Sequence, residues 1–326
     1  MDILTNTSQN INSKIARRSV DISAFFIWSV MISKKQQVSH LLHDVENLRR
    51  IENKGVPKLW IINGMVIIIL VPFASWVSLT IPFQDEYQCK ILVKYHSFGF
   101  DLVKDGNNCF VILIIVFFQQ FFVYTLRTAV TVVYVIICCS LRNILNTYSE
   151  LGAKRVTYPE AEIGYVYFKC YLLTQERVLN VLKSFEETMS LPIFLIASSD
   201  FMAIIYGVIK LDPLNNLPEC NILKYTPGII FLSLRGLVSL SCVTLAASAV
   251  HEASNHSSVV QKNMLKRILL SGEKSNIQEL ALFSIFQNNP PFVLSAWGVF
   301  NFTKGLFLSA FGGVLTYSLL IMQILK

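Results

Sequence analysis

Between Cys109 and Ser140 the sequence carries a single charged residue, Arg127, in the run CFVILIIVFFQQFFVYTLRTAVTVVYVIICCS. A bilayer core is about 30 Å thick and needs roughly 20 apolar helical residues to cross it. At about 1.5 Å of rise per residue the run is much longer than that. A helix apolar on every face has no soluble surface to present. The segment is therefore expected to cross a membrane and then to tilt or continue beyond it. Arg127 marks the point of exit and is expected to snorkel to the cytoplasmic surface.

The same pattern recurs along the 326 residues. Apolar runs occupy 19–33, which is short for a span, then 58–82, 189–210, 228–250 and 305–326. Pro72 falls inside the second of these, which membrane helices tolerate when neighbours satisfy the freed carbonyl. Only 15% of residues are charged, against about 25% in soluble domains. The polar stretches between the runs keep Leu and Val at helical spacing. The fold class that follows is all-α: a polytopic transmembrane helix bundle with cytoplasmic helical extensions. Residues 1–18 form a polar N-terminal segment without the features of a removable signal peptide. Residues 19–326 form one membrane domain, with spans near 19–33, 58–82, 109–135, 189–210, 228–250 and 305–326.

The net charge of +7 does not point to nucleic acid, because Lys and Arg lie in loops rather than as a stripe on one folded surface. Their distribution sets orientation instead. Loops at 34–58, 142–183 and 262–304 carry most of them, whereas the alternate loops carry only Lys90, Lys94, Lys104, Lys210, Lys224 and Lys326. The first set is expected in the cytoplasm, which puts the C-terminus outside. A heptahelical G-protein-coupled receptor, the alternative from another class, keeps its C-terminus inside.

Little in the chain suggests catalysis or metal binding. His251-Glu252-Ala-Ser-Asn-His256 approaches a zinc-protease motif, but its histidines are one residue too far apart to share a helical face. No nucleophile elbow or phosphate loop appears, so neither an enzyme nor a cofactor is expected. The seven cysteines match no zinc spacing. Cys89, Cys109 and Cys220 are expected outside, where one disulfide among them is open, its pairing undetermined.

The C-terminal stretch reads Ala296-Trp297-Gly298, then Gly312-Gly313, then Thr316-Tyr317, five mostly apolar residues, Gln323 and Ile324. It resembles the signature of arthropod gustatory receptors, with Ile324 where that family usually has Phe. The segments QELALFSIFQNNPPFVLSAWGVFNF and LLTQERVLNVLKSFEETMSLPIF are similar to that family's approaches to its spans. The resemblance covers roughly residues 20–326 and lacks the family's first helix, with 19–33 standing as a shortened second one. It implies seven-helix subunits assembled as homo- or hetero-tetramers in the plasma membrane, forming ligand-gated, non-selective cation channels opened by a small-molecule tastant. It implies that the last helix lines the pore, that Gln323 and Ile324 form the outer constriction, and that ligands bind in the outer half of the bundle. A non-conducting accessory subunit of the same family is a second alternative.

Particular residues carry these expectations. Four Ile324 side chains at an axis would block hydrated ions by dewetting, and Gln323 would offer amide dipoles to a cation. Thr316 and Tyr317, about two turns inward, suit packing or hydrogen bonding between helices. Asp200 and Arg235 each lie about nine residues, or roughly 14 Å, from the outer end of consecutive antiparallel spans. The pair reads either as a polar contact for ligand or as a closed ion pair locking two helices. Gln120 and Tyr124, with Gln119, sit among Phe117, Phe118, Phe121 and Phe122. They suit an aromatic-walled pocket or, alternatively, a face toward lipid or other helices. Trp76 suits the same pocket or an interfacial anchor.

Overall fold

The structure is a computed structural model and describes residues 21–52, 58–80, 109–157, 165–210, 219–270 and 291–324. Its helices are α1 (Asp21–Ser33), α2 (Lys35–Glu52), α3 (Lys58–Thr80), α4 (Cys109–Thr157), α5 (Tyr165–Lys210), α6 (Glu219–Leu270) and α7 (Lys304–Ile324). Strands β1 (Ser295–Ala296) and β2 (Phe300–Asn301) form a hairpin just before α7. Helices α3, α4, α5 and α6 are each long and apolar enough to cross a membrane.

Helices α4, α5 and α6 are 49, 46 and 52 residues long, roughly 70–80 Å at helical rise. Each joins an apolar half to a polar, periodic half without a break. The sequence LLTQERVLNVLKSFEETMSLPIF therefore runs from extension into span as one helix, and the excess length of the 109–140 run continues to Thr157. The extensions pack together at the end that the Lys and Arg distribution assigns to the cytoplasm. Gly152 permits this contact: a Cβ there would meet Val260 Cγ1 at 2.8 Å and Tyr171 Cε2 at 3.2 Å. Phe168, Tyr171, Met264 and Ile268 are buried around it.

The main core lies where extension meets span. Leu141, Leu182, Phe185, Ile193 and Ala247 are sealed there, and Tyr134 stacks on Phe185 at 5.0 Å. Short α2 contributes Leu41, Val45 and Leu48 to this core. These positions recur at helical spacing on one face, while Arg49 and Arg50 pair with Glu46 on the outside. Arg49 and Arg50 also stand in the last turn, where cations suit the helix dipole.

Pro192 sits inside α5 at this level. Having no N–H, it leaves the carbonyl four residues back, that of Thr188, without its helical donor. Lys34, in the turn between α1 and α2, supplies donors: its Nζ reaches the carbonyls of Thr188, at 3.5 Å, and of Glu187. The same contact fixes the direction of α1, with Lys34 toward the end that carries the extensions and Asp21 toward the other.

The hairpin before α7 is tied to both neighbouring helices. Ser295 Oγ donates to Glu186 of α5. His251 Nδ1 of α6 donates to the Phe292 carbonyl at 3.1 Å, and Phe292 N donates to Ser254 Oγ at 3.0 Å. Leu294, Ala296 and Phe302 are buried in the main core. The turn itself closes through Val299 N to Ala296 O at 2.9 Å. Its two central residues, Trp297 (φ 51°) and Gly298 (φ 69°), are left-handed, as a tight hairpin turn requires. Glycine takes that conformation without strain; tryptophan does not.

Candidate functional site

The charged residues of three apolar helices converge on one point. Arg127 Nη2 of α4 and Arg235 Nη2 of α6 both donate to Oδ1 of Asp200 on α5, at 2.8 and 3.0 Å. The side chains of Arg127, Asp200 and Arg235 are 1%, 0% and 9% exposed. Tyr124, one turn before Arg127 on the same face of α4, lays its ring beneath the Arg235 guanidinium, 4.9 Å from centroid to Cζ. A cation over an aromatic face is favoured most when desolvated, as here.

Bare backbone makes the convergence geometrically feasible. A Cβ on Gly236 would approach the Asp200 carbonyl oxygen to 3.0 Å, and one on Gly207 would fall 1.6 Å from Ser233 Oγ. Small residues at such crossings let membrane helices approach closely. Ala197, Ile204 and Leu240 form a small buried apolar cluster on the same two helices, α5 and α6.

Arg127 therefore does not leave the bundle. The expectation that it snorkels to the cytoplasmic surface is corrected: it is fully buried beside Asp200. The physical reason is that an unpaired carboxylate inside the bundle is far more costly than a paired one, and α4 presents Arg127 at the same depth as Asp200. For Asp200 and Arg235 the closed ion pair is realised, with a second arginine on the same oxygen. The cluster is not saturated: Arg127 Nε and Nη1, Arg235 Nε and Asp200 Oδ2 are buried without hydrogen-bond partners among the described residues.

Toward the opposite face from the extensions, α4 continues the site as a polar and aromatic stripe. Gln120, one turn from Tyr124, accepts from Ser75 Oγ of α3 at 3.3 Å. Gln119 Nε2 donates to Asp21 Oδ2 of α1 at 3.1 Å. Ser23 Oγ of α1 donates to Ser199 Oγ, next to Asp200, at 3.4 Å. Trp76 of α3 meets Phe117 edge-on at 5.4 Å, and Phe117 lies 5.9 Å from Phe121. Phe122, in contrast, is exposed. Tyr124 thus meets the charged cluster through Arg235, while Gln120 reaches α3 through Ser75 and Trp76 joins Phe121 through Phe117 in the region beside it.

Arg127, Ser75 and Asp21 join this region without having been singled out for it. For Arg127 a signal was present: it stands three residues after Tyr124, on the same helical face.

The proposed pore residues lie elsewhere, on α7. Thr316 Oγ1 donates to Gly312 O within the same helix at 2.8 Å, and both residues are exposed. A helical hydroxyl readily bonds the carbonyl four residues back, and the hydroxyl stays on an exposed face of the single chain. Tyr317 is 65% exposed in the single chain, and Gln323 is exposed. Ile324 closes the helix, and its side chain lies outside the described residues. Of the cysteines expected outside, Cys89 also lies outside the described residues, as do the side chains of Cys109 and Cys220. His251 and His256 have separate partners, the Phe292 carbonyl and Ser149 Oγ.

No protein-family model matches the sequence, and no curated protein matches it. Solved structures do. The insect olfactory receptor OR5 from Machilis hrabei superposes with a TM-score of 0.66 at 12% identity, covering 95% of this chain and 80% of that one. The same receptor in complex with eugenol gives a TM-score of 0.69 at 11% identity with the same coverage. At that identity the likeness is one of fold: this chain is a multi-pass helical membrane bundle with the fold of an insect olfactory receptor.

Proposed function

We propose that this chain is a chemosensory receptor of the gustatory type, a subunit of a ligand-gated, non-selective cation channel in the plasma membrane. A small-molecule tastant binds within the bundle, and α7 lines a pore shared by a homo- or hetero-tetramer of related subunits. The chain acts as a receptor and not as an enzyme. The observation that carries this reading is the bareness of α7. Leu308, Leu315, Tyr317, Leu319 and Leu320 are all exposed, and among the described residues a Cβ on Gly312 or Gly313 would meet nothing within 4 Å. Each of the other four long helices has a glycine in close contact with a neighbour: Gly64, Gly152, Gly207 and Gly236. A terminal helix with unused glycines, an alcohol stripe and a final amide suits contact with copies of itself around a path for ions.

Ligand and pore are mechanically joined in this reading. Asp200 and Glu186 stand on one continuous helix, α5, about 21 Å apart at helical rise. Glu186 holds Ser295 of the hairpin that starts α7. A shift of α5 against α4 or α6 at the charged cluster therefore moves the root of α7. The ligand opens the pore only to the extent that it binds the open arrangement more tightly. The fold likeness to a receptor solved with eugenol supports a small-molecule site in the bundle. The experiment is expression of this chain alone, and with related subunits, in a cell line, with whole-cell recording during application of a tastant panel. Ligand-evoked cation currents are expected. Surface-expressed, assembled protein that stays silent in every combination contradicts the channel reading and favours the accessory-subunit alternative.

A further inference from the structure

Two guanidinium groups meet one carboxylate in the bundle interior, so the cluster holds one positive charge beyond what Asp200 compensates. A helix lock needs only one of these arginines; the second adds desolvation cost without an anion among the described residues to offset it. The hydrogen bonding repeats the imbalance. Both arginines crowd onto Asp200 Oδ1, while Arg127 keeps its Nε and Nη1 donors unpartnered among the described residues, at 1% exposure. A planar guanidinium with free N–H groups in a dry setting is matched to a carboxylate, which it binds through paired, charge-assisted hydrogen bonds. Along α4 the same face continues through Tyr124, Phe121 and Phe117, an apolar wall beside the polar head.

We infer that the Arg127–Asp200–Arg235 cluster is the head-group site for a small organic acid, its carboxylate on Arg127 and Arg235 and its apolar tail along Tyr124, Phe121 and Phe117. The acid brings the missing negative charge and relieves the competition of two arginines for one oxygen. This names the ligand class for the proposed receptor and rests on that reading for its role in gating, though not for binding itself.

The test uses purified full-length protein in lipid nanodiscs with radiolabelled hexanoate, and hexan-1-ol as a probe with the same tail and no charge. Hexanoate is expected to bind at least about tenfold more tightly than the alcohol. Arg127→Lys keeps the charge and loses the fork, and it weakens hexanoate at least about tenfold without changing the alcohol. Asp200→Asn removes the competing carboxylate: it binds hexanoate more tightly than the parent, and its melting midpoint rises on adding hexanoate. A purely structural lock would show neither gain. Equal affinity for acid and alcohol in the unaltered protein, or unchanged hexanoate affinity in Arg127→Lys, overturns the assignment. Displacement of hexanoate by chloride at equal concentration, with methanesulfonate as the control salt, assigns the site to a halide and overturns the organic-acid class. Hexanoate binding by a protein that stays silent to the whole tastant panel in every subunit combination leaves this inference standing and removes the channel reading. Currents evoked by hexan-1-ol without hexanoate binding do the reverse.

Discussion

Arg127 of α4 and Asp200 of α5 meet at 2.8 Å with both side chains sealed from solvent, and Arg235 of α6 takes the same carboxylate oxygen. Three helices are thus joined through one acidic oxygen. Removing one partner of a buried pair leaves the others charged and unsolvated, at a cost of about 3–5 kcal/mol. Asp200→Ala is therefore expected to destabilise the protein by that amount, read as a lowered melting midpoint in detergent. Asp200→Asn keeps the shape and an acceptor oxygen and should lose less. Unchanged melting in both variants would show that the cluster contributes nothing to the bundle.

The crossing of α5 and α6 depends on Gly207, where a Cβ would fall 1.6 Å from Ser233 Oγ and 2.8 Å from Ser233 Cβ. Gly207→Ala must push the helices apart or displace Ser233, at about 1–3 kcal/mol. Ser233→Gly removes both clashing atoms, so the double variant is expected to recover most of the loss. Additive losses in that double-mutant cycle would mean that the two residues are not in contact.

How much of this was legible in the sequence follows from what each feature depends on. The long helices were readable because apolar runs and helical spacing are local properties, as in the passage from Leu172 to Phe194. Asp200 and Arg235 could be paired because consecutive antiparallel spans place residues of equal depth side by side. The depth of Arg127 is harder to read: a run as long as 109–140 has no marked ends, so its register against the bilayer is set by tertiary contact, and only its spacing from Tyr124 hints at the face it shares. Contacts of Thr316 and Tyr317 with helices of other copies are not legible in one chain, where both are exposed. The hairpin at 295–301 was not foreseen, since Trp297 takes a left-handed conformation that its residue type disfavours.

In that hairpin, Gly298 adopts φ 69° with open space around it. Gly298→Ala therefore meets strain and no clash, and is expected to cost about 1 kcal/mol. Gly298→Asn should cost less, because asparagine tolerates this conformation. Because the hairpin is bonded to Glu186 and His251 and leads into α7, the alanine variant is also expected to alter gating more than ligand affinity. Dose–response curves compared with direct binding separate the two; a pure affinity change would contradict the coupling role.

At the end of α7, Gln323 is exposed in the single chain. If amide dipoles face the ion path, Gln323→Arg places a cation there and is expected to reduce inward cation current at least about tenfold. Ile324→Ser removes an apolar blocking group and is expected to raise current in the absence of ligand. Both are read by whole-cell recording normalised to surface protein. Ordinary currents from Gln323→Arg would remove this residue from the path.

The central claim is that bare α7 helices of several copies surround one axis. Electron cryo-microscopy of the purified full-length protein in lipid nanodiscs tests this most directly. The account predicts a tetramer with α7 of every subunit innermost and Gln323 on the axis. A monomeric particle, or an assembly in which α7 and Gln323 face lipid, would contradict it.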